Sequence, residues 1–495
     1  MVDRFVVKEA LPGALACLLA TLLLVGCAVL GEPPEETEIT ETEAQEAATS
    51  AETPTERPNI VFILTDDLDY ASAQKMPGIG ALLREGGASF ENAFASQSLC
   101  CPSRATILTG LYAHNSGIKG NRPPDGGFEV FRDEGLEEET IATRLQAGGY
   151  QTAFFGKYLN GYPSPDDPSY VPAGWDEWYG ELERYDPYDY QINENGEVVS
   201  YGSEEEDFFT DVLSDKATDF VGQAAPEDRP FFAYVNPTAP HEPAIPAERH
   251  RGAFSSAKAP RSPSFDEEDV SDKPSWIRDG ERLSEEDVSE TDERYRRRLE
   301  SMLAVDEMVA SLVEELEAVG ELDNTYIFFT SDNGFLQGEH GLSNTKDRPY
   351  EESARIPLFV RGPGIAPDTE VEELALNTDF APTFYGLAGV EFPADGRSLL
   401  PLLRGEEPSA RRSAVLLEGF VGRGPRVYAA VRTEGYKYVE YGNGEEELYD
   451  LSADPYELEN IYDSVDPTLI EDLETRLEAL RDCSGDECRE AEDAS

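Results

Sequence analysis

Four times along the chain, a short and unbroken apolar run stops at a group of polar side chains. Asn59-Ile60-Val61-Phe62-Ile63-Leu64 stops at Thr65-Asp66-Asp67, and Tyr326-Ile327-Phe328-Phe329 at Ser331-Asp332-Asn333-Gly334. Phe231-Phe232-Ala233-Tyr234-Val235 leads to Pro240-His241-Glu242-Pro243, and Thr152-Ala153-Phe154-Phe155 to Gly156-Lys157. Runs this short, without polar alternation, suit strands buried on both faces. Helical patterns separate them; Leu299, Leu303, Leu312, Leu316 and Val319 mark one long amphipathic helix. This alternation predicts an α/β fold, a large and mostly parallel sheet sandwiched by helices. Such sheets bind ligands beyond the carboxyl ends of their strands, where all four polar groups fall.

Asp66, Asp67, Asp332 and Asn333 are hard oxygen donors. Together they suit Ca²⁺, with Mg²⁺ as the alternative, rather than Zn²⁺, which prefers nitrogen and sulfur. Strand-end Asp and Asn also cap turns without any metal. Two pairs at equivalent strand ends favour the metal.

Between the first two polar groups lies Ser98-Leu99-Cys100-Cys101-Pro102-Ser103-Arg104-Ala105-Thr106-Ile107-Leu108-Thr109-Gly110. Pro102 is placed for the first turn of a helix and Gly110 for its end. Cys100 then stands at the helix N-terminus, where free N–H groups attract anions and a thiol is expected to be acidified. A packed Cys pair on an ordinary helix is the competing reading.

Cys-x-Pro-Ser-Arg followed by Thr-Gly resembles the signature of the formylglycine-dependent sulfatases, and the other polar groups follow in that family's order. The likeness runs from about Arg57 to Asp482. The double Cys, Gly156-Lys157-Tyr158-Leu159-Asn160 and the Lys346 to Glu351 segment look most like the N-acetylglucosamine-6-sulfatase and heparan-type branch. The resemblance implies the alkaline-phosphatase/sulfatase-like fold. It also implies conversion of Cys100 to formylglycine (3-oxoalanine) by a formylglycine-generating enzyme, and a sulfated carbohydrate or glycosaminoglycan fragment as substrate.

In that family one hydroxyl of the hydrated aldehyde attacks sulfur, the alcohol leaves, and the second hydroxyl expels sulfate. Carried over residue by residue, Asp66, Asp67, Asp332 and Asn333 hold the metal, with the Cys100 diol completing the shell. Arg104 steadies the formylglycine, Lys157 and Lys346 bind sulfate oxygens, and His241 protonates the leaving alcohol. Many sulfatases carry a His two residues after the first Lys, where this chain has Leu159, so the base for sulfate release is not assigned. His114 and His340 read as capping or packing side chains, with the site wall as the alternative. Two other functions compete: a phosphomonoester or phosphodiester hydrolase of the same superfamily, and a lipoprotein that binds sulfated glycans without turnover.

The chain has 495 residues and a formal net charge of -61, from 40 Lys plus Arg against 101 Asp plus Glu. That balance excludes general phosphate-backbone binding, so no nucleic-acid partner is expected. It also disfavours polymeric polyanions as substrates relative to short oligosaccharides. At the N-terminus, Arg4 and Lys8 precede an uncharged stretch that ends in Leu24-Val25-Gly26-Cys27, resembling a bacterial lipobox. The expectation is a signal peptide over 1–26 and a lipid anchor at Cys27, the chain's sole attachment to the outer face of the membrane. An acidic tether over 27–57 follows, too poor in large apolar residues for a core.

The catalytic domain is expected over 58–405. A small antiparallel sheet plus helix is expected over 406–495, from strand-like stretches at Ala414 to Leu417, Val427 to Thr433, Tyr436 to Tyr441 and Glu447 to Asp450. Cys483 and Cys488 are placed for a disulfide in an exported chain. Arg251 to Glu293, charged and rich in Pro and Ser, reads as a surface insertion.

Overall fold

The computed structural model describes residues 57–182, 185–408, 410–420 and 426–494. The expected signal peptide, the anchor at Cys27 and nearly all of the tether lie outside them. No helix among the described residues is long and apolar enough to cross a membrane.

The strands are β1 (Asn59–Thr65), β2 (Ala88–Phe94), β3 (Gln151–Gly156), β4 (Glu177–Glu181), β5 (Gln191–Glu194), β6 (Glu197–Ser200), β7 (Phe231–Asn236), β8 (Thr325–Ser331), β9 (Leu336–Gln337), β10 (Ser343–Thr345), β11 (Leu358–Arg361), β12 (Thr369–Leu376), β13 (Ala414–Phe420), β14 (Arg426–Thr433), β15 (Tyr436–Tyr441) and β16 (Glu446–Asp450). A ten-stranded sheet has the order β12-β2-β11-β8-β1-β7-β3-β4-β5-β6. Its centre, β8-β1-β7-β3-β4, is parallel. β11 is inserted antiparallel between β2 and β8, and β5 and β6 finish the far edge antiparallel. The sheet is therefore mixed at its margins and parallel where the four apolar runs lie.

Those four runs are β1, β3, β7 and β8, each buried along its whole length. Alternate side chains of β1 feed two separate cores. Ile60, Phe62 and Leu64 pack toward the Phe380–Ala388 helix with Phe380 and Phe384. Val61 and Ile63 share the opposite core with residues of the Phe209–Ala224 and Glu285–Val319 helices. The long helix spans 35 residues; Ser284 and Asp287 form a capping box at its start, and Gly320 in the left-handed region ends it. Gly156 closes β3 at φ 102°, and a Cβ there would fall 2.0 Å from Asn236 O. Only glycine lets β3 and β7 stay paired up to Lys157.

β13-β14-β15-β16 form a separate antiparallel meander. Leu473, Leu477 and Leu480 of the Pro467–Arg481 helix pack on it. Cys483 and Cys488 are disulfide-bonded. The 251–293 segment is exposed over much of its length, as expected of a surface insertion, but is anchored at a few buried points. Its Ser264, Lys273 and Ile277 are buried, and Lys273 Nζ donates to Tyr449 Oη of β16 at 3.0 Å.

Arg412 joins the C-terminal part to the main sheet. Its guanidinium donates to Asp379 Oδ1 at 2.7 Å, Glu492 Oε2 at 2.9 Å and Leu374 O at 3.2 Å, all buried. Removing one partner of such a network strands the others in low dielectric. Arg412→Leu is expected to lower unfolding free energy by about 3–5 kcal/mol in urea titrations. A loss below about 1 kcal/mol would mean that the two carboxyls are held by other groups.

Candidate active site

The Cys100–Thr109 helix starts beside the carboxyl ends of β1 and β8. Leu99, in extended conformation, precedes it; Pro102 lies in the first turn, and Gly110 ends it at φ 74°. All ten residues are buried. Its first residue, Cys100, has Sγ 3.6 Å from Asp66 Oδ1 and 4.0 Å from Asp67 Oδ1.

Asp66, Asp67, Asp332 and Asn333 come together as the strand pattern anticipates. β1 and β8 pair in parallel, with Thr65 opposite Ser331, so the two polar ends are adjacent. Asp67 takes φ 67°, which turns its carboxylate back over the strand end, and its N–H donates to Asp332 Oδ1 at 3.0 Å. Carboxylate oxygens of Asp66, Asp67 and Asp332 lie within 4.8 Å of one another. Asn333 Nδ2 donates to Asp67 Oδ1 at 2.7 Å, while Asn333 Oδ1 is buried with no hydrogen-bond partner. Three fully buried carboxylates and an orphaned amide oxygen are an all-oxygen donor set. That set fits a hard divalent cation, whose charge would offset the desolvation of the acids.

Cationic side chains close on the same point. Lys157 Nζ donates to Asp66 Oδ2. Lys346 Nζ donates to Asp67 Oδ1 and lies 2.7 Å from Cys100 Sγ. Arg104 Nε donates to Asp332 Oδ2 at 2.8 Å, and its Nη1 to Lys157 O at 2.9 Å. Arg104 thus orients the strand-end acid and the lysine backbone, and makes no hydrogen bond to Cys100. His241 Nε2 is 3.9 Å from Asp67 Oδ2, and its Nδ1 lies 2.7 Å from Glu242 O. Its side chain is about a quarter exposed, the most open of these groups.

The charges set the protonation states. Burial raises the Asp66 carboxyl, but the charges of Lys157, His241 and Arg104 outweigh it and hold Asp66 well below the ordinary range. Burial likewise opposes ionisation of Asp67, and Lys346 and His241 outweigh it. Burial and the neighbouring Asp66 push Asp332 up. Asp66 and Asp67 more than offset burial for Lys157 and Lys346, and keep both charged.

The Cys100 thiol departs from expectation. Instead of being acidified it is pushed up to about 12. Burial dominates, and the negative charges of Asp66 and Asp332 oppose the two lysines. An unmodified Cys100 is therefore a poor thiolate nucleophile, whatever the helix N-terminus contributes.

His114 and His340 do not line this site. His114 Nδ1 contacts Glu418 Oε1 at 3.0 Å and its Nε2 Cys483 O at 3.0 Å. His340 is buried against Tyr350, and burial pushes it down to about 3, so it is neutral. Two other residues belong to the site without having been anticipated. Arg298, on the long helix, donates through Nη1 to Pro240 O at 3.1 Å and through Nη2 to Asp67 O, tying the His241 loop to the β1 end. Its signal was available, since Arg298 falls on the buried stripe with Tyr295, Leu299 and Met302. Tyr185 receives Asn160 Nδ2 on its hydroxyl at 3.0 Å, lies 4.7 Å under Lys157 Nζ, and packs 5.0 Å from the His241 ring. No sequence pattern marks it.

Comparison with known proteins agrees with this geometry. The Sulfatase family model matches residues 58–390, and a model described as N-sulphoglucosamine sulphohydrolase, C-terminal, matches 338–483. The chain is 36% identical over 479 residues to human N-acetylglucosamine-6-sulfatase, covering 88% of this chain and 86% of that one. It is 31% identical to the N-acetylglucosamine-6-O-sulfatase of Bacteroides thetaiotaomicron, covering 82% and 83%. A solved structure of a protein in complex with its substrate D-glucosamine-2-N,6-O-disulfate superposes with TM-score 0.72 at 28% identity, covering 88% of this chain and 99% of that one. The chain belongs to the sulfatase family and is a sulfuric ester hydrolase.

Proposed function

We propose that this sulfatase removes the 6-sulfate from a glucosamine residue, N-acetylated or N-sulfated, in a short sulfated oligosaccharide. The observation that carries the reading is the convergence of Lys157, Lys346 and His241 on Cys100 at the rim of β1 and β8. The two N-acetylglucosamine-6-sulfatases and the complex with a glucosamine disulfate support the sugar and the ester position.

In this reading Cys100 is matured to formylglycine, and its hydrate supplies an oxygen nucleophile plus a second hydroxyl for regeneration. Asp66, Asp67, Asp332 and Asn333 hold Ca²⁺, with Mg²⁺ as the alternative; the cation adds positive charge beside the sulfate. Lys157 and Lys346 present two fixed ammonium groups to the sulfate oxygens, where charge grows as the S–O bond breaks. They are held in advance by Asp66 and Asp67, so they need little reorganisation. His241 is anchored through Nδ1 on Glu242 O, which leaves Nε2 to carry the proton given to the leaving alcohol. Tyr185 packs against both Lys157 and His241.

We further propose export through residues 1–26, a lipid anchor at Cys27, an acidic tether over 27–57, a catalytic domain over 58–405 and a C-terminal subdomain over 406–495.

Coexpression with a formylglycine-generating enzyme should yield a peptide containing residue 100 that is about 18 Da lighter than the thiol form. The matured protein should release sulfate from N-acetylglucosamine-6-sulfate, and Cys100→Ala should abolish that release. A thiol-only peptide, or full turnover by Cys100→Ala, would overturn the maturation reading. Lys157→Met and Lys346→Met should each lower kcat/KM by about 10²–10³. Aryl phosphate cleaved faster than aryl sulfate by the matured enzyme would favour the phosphoesterase alternative. Galactosamine-6-sulfate preferred over its glucosamine counterpart would sink the sugar assignment.

A further inference from the structure

Behind β9 and β10, away from Cys100, a second group of metal-ligating side chains is buried between the two sheets. His340 follows β9 at φ 53°, with its ring stacked on Tyr350 at a centroid distance of 4.2 Å. Its Nδ1 lies 2.8 Å from Glu267 Oε2. A carboxylate there holds the imidazole proton on Nδ1, so Nε2 carries a lone pair. His340 is 2% exposed, and Nε2 has no hydrogen-bond partner. A buried lone pair with no donor is a cost that a native structure rarely leaves standing.

The ring lies among acids. Ligand atoms of His340, Glu352 and Glu457 all lie within 4.8 Å of one another. Glu352 Oε2 is also buried and has no hydrogen-bond partner; Oε1 takes only a 3.3 Å bond from Ser264 Oγ. Glu457 Oε2 accepts from Glu351 N at 2.8 Å, and its Oε1 lies 2.7 Å from Lys437 Nζ, with a second lone pair remaining. The nearby lysines are already committed. Lys437 pairs with Glu351 at 2.9 Å as well as with Glu457, and Lys273 lies 3.8 Å from Glu267. Among the described residues Glu352 makes no ion pair. The cluster therefore combines carboxyl oxygens that lack donors with a buried imidazole nitrogen that lacks a partner, and a cation that accepts both N and O ligands satisfies each.

We propose that His340 Nε2, Glu352 and Glu457 form a second, buried site for one divalent transition metal of the Zn²⁺ class. The donor chemistry separates it from the strand-end site. One imidazole and two carboxylates favour Zn²⁺, whereas four oxygens favour Ca²⁺. Glu267 is the outer carboxylate that orients the ligating imidazole. The site clamps three segments together: the loop after β9, the Glu351–Ala354 helix and the loop after β16. The first of these runs on through β10 to Lys346, so the clamp also fixes the approach of that lysine. The inference does not depend on which sugar is cleaved, nor on maturation of Cys100.

The test uses the full chain, stripped with a chelator and then held in saturating Ca²⁺ so that the all-oxygen site is filled. Calorimetric titration with Zn²⁺ should show one equivalent bound, with a rise in Tm, and Co²⁺ should give visible absorption bands of a nitrogen-containing site. His340→Gln should abolish this equivalent, and Glu267→Gln should weaken it about 10–100-fold. Asp332→Asn should leave it intact. If His340→Gln fails to fold, Glu352→Gln reads the same loss. A wild-type chain that takes up no Zn²⁺ under Ca²⁺ overturns the proposal. So does an equivalent that disappears in Asp332→Asn and persists in His340→Gln.

Discussion

The active site depends on keeping Asp66, Asp67 and Asp332 buried together at the end of two adjacent strands. Three carboxylates within 4.8 Å repel one another, and burial raises the cost of each charge. Arg104, Lys157 and Lys346 bind one acid each and supply the compensation. The arrangement is mutual, because the lysines stay charged in a buried place only because the acids are there. Neither set is stable alone. Together they make a rigid field in which an anionic ester can be held without rearrangement, as electrostatic catalysis requires.

Lysine usage shows the same economy across the chain. Of 101 acids and 40 bases, only nine bases are lysine. An outer surface poor in lysine gains solubility from its acidic charge and loses little. Yet Lys157, Lys273 and Lys437 are buried, and Lys346 is nearly so. Each sits against a buried carboxylate. A compact ammonium on a flexible stem can reach a crowded carboxylate pair that a planar guanidinium would not enter. Four of the nine lysines thus answer to interior electrostatics, and two of these, Lys157 and Lys346, lie at the candidate site.

Much of this was legible beforehand, for identifiable reasons. β1, β3, β7 and β8 were readable because a strand buried on both faces needs an unbroken apolar run, and little else in the chain produces one. The convergence of the polar groups at their ends was readable because a parallel sheet presents all carboxyl ends at one edge. The antiparallel β11 was not, since its Leu-Phe-Val-Arg run looks like the others and direction is set by tertiary connection alone. The burial of Lys273 within the otherwise largely exposed 251–293 segment was not readable, because charge and Pro signal exposure and its partner Tyr449 is distant in sequence.

The error at Cys100 is the more instructive one. A helix N-terminus and two ammonium groups lower a thiol's pKa, and the sequence showed where the helix begins and where a lysine could come from. It did not show that all ten residues of that helix are buried, nor that Asp66 and Asp332 partly offset the lysines. Desolvation wins over the lysines, with Asp66 and Asp332 adding to it, and the thiol becomes harder to ionise. The same environment that disables a thiolate favours an uncharged nucleophile precursor. Such a group enters a desolvated, metal-binding pocket without a charge of its own, and relies on its neighbours to accept the charge that develops during reaction. The burial that makes Cys100 inert as a thiol is therefore consistent with a residue meant to act in another chemical form.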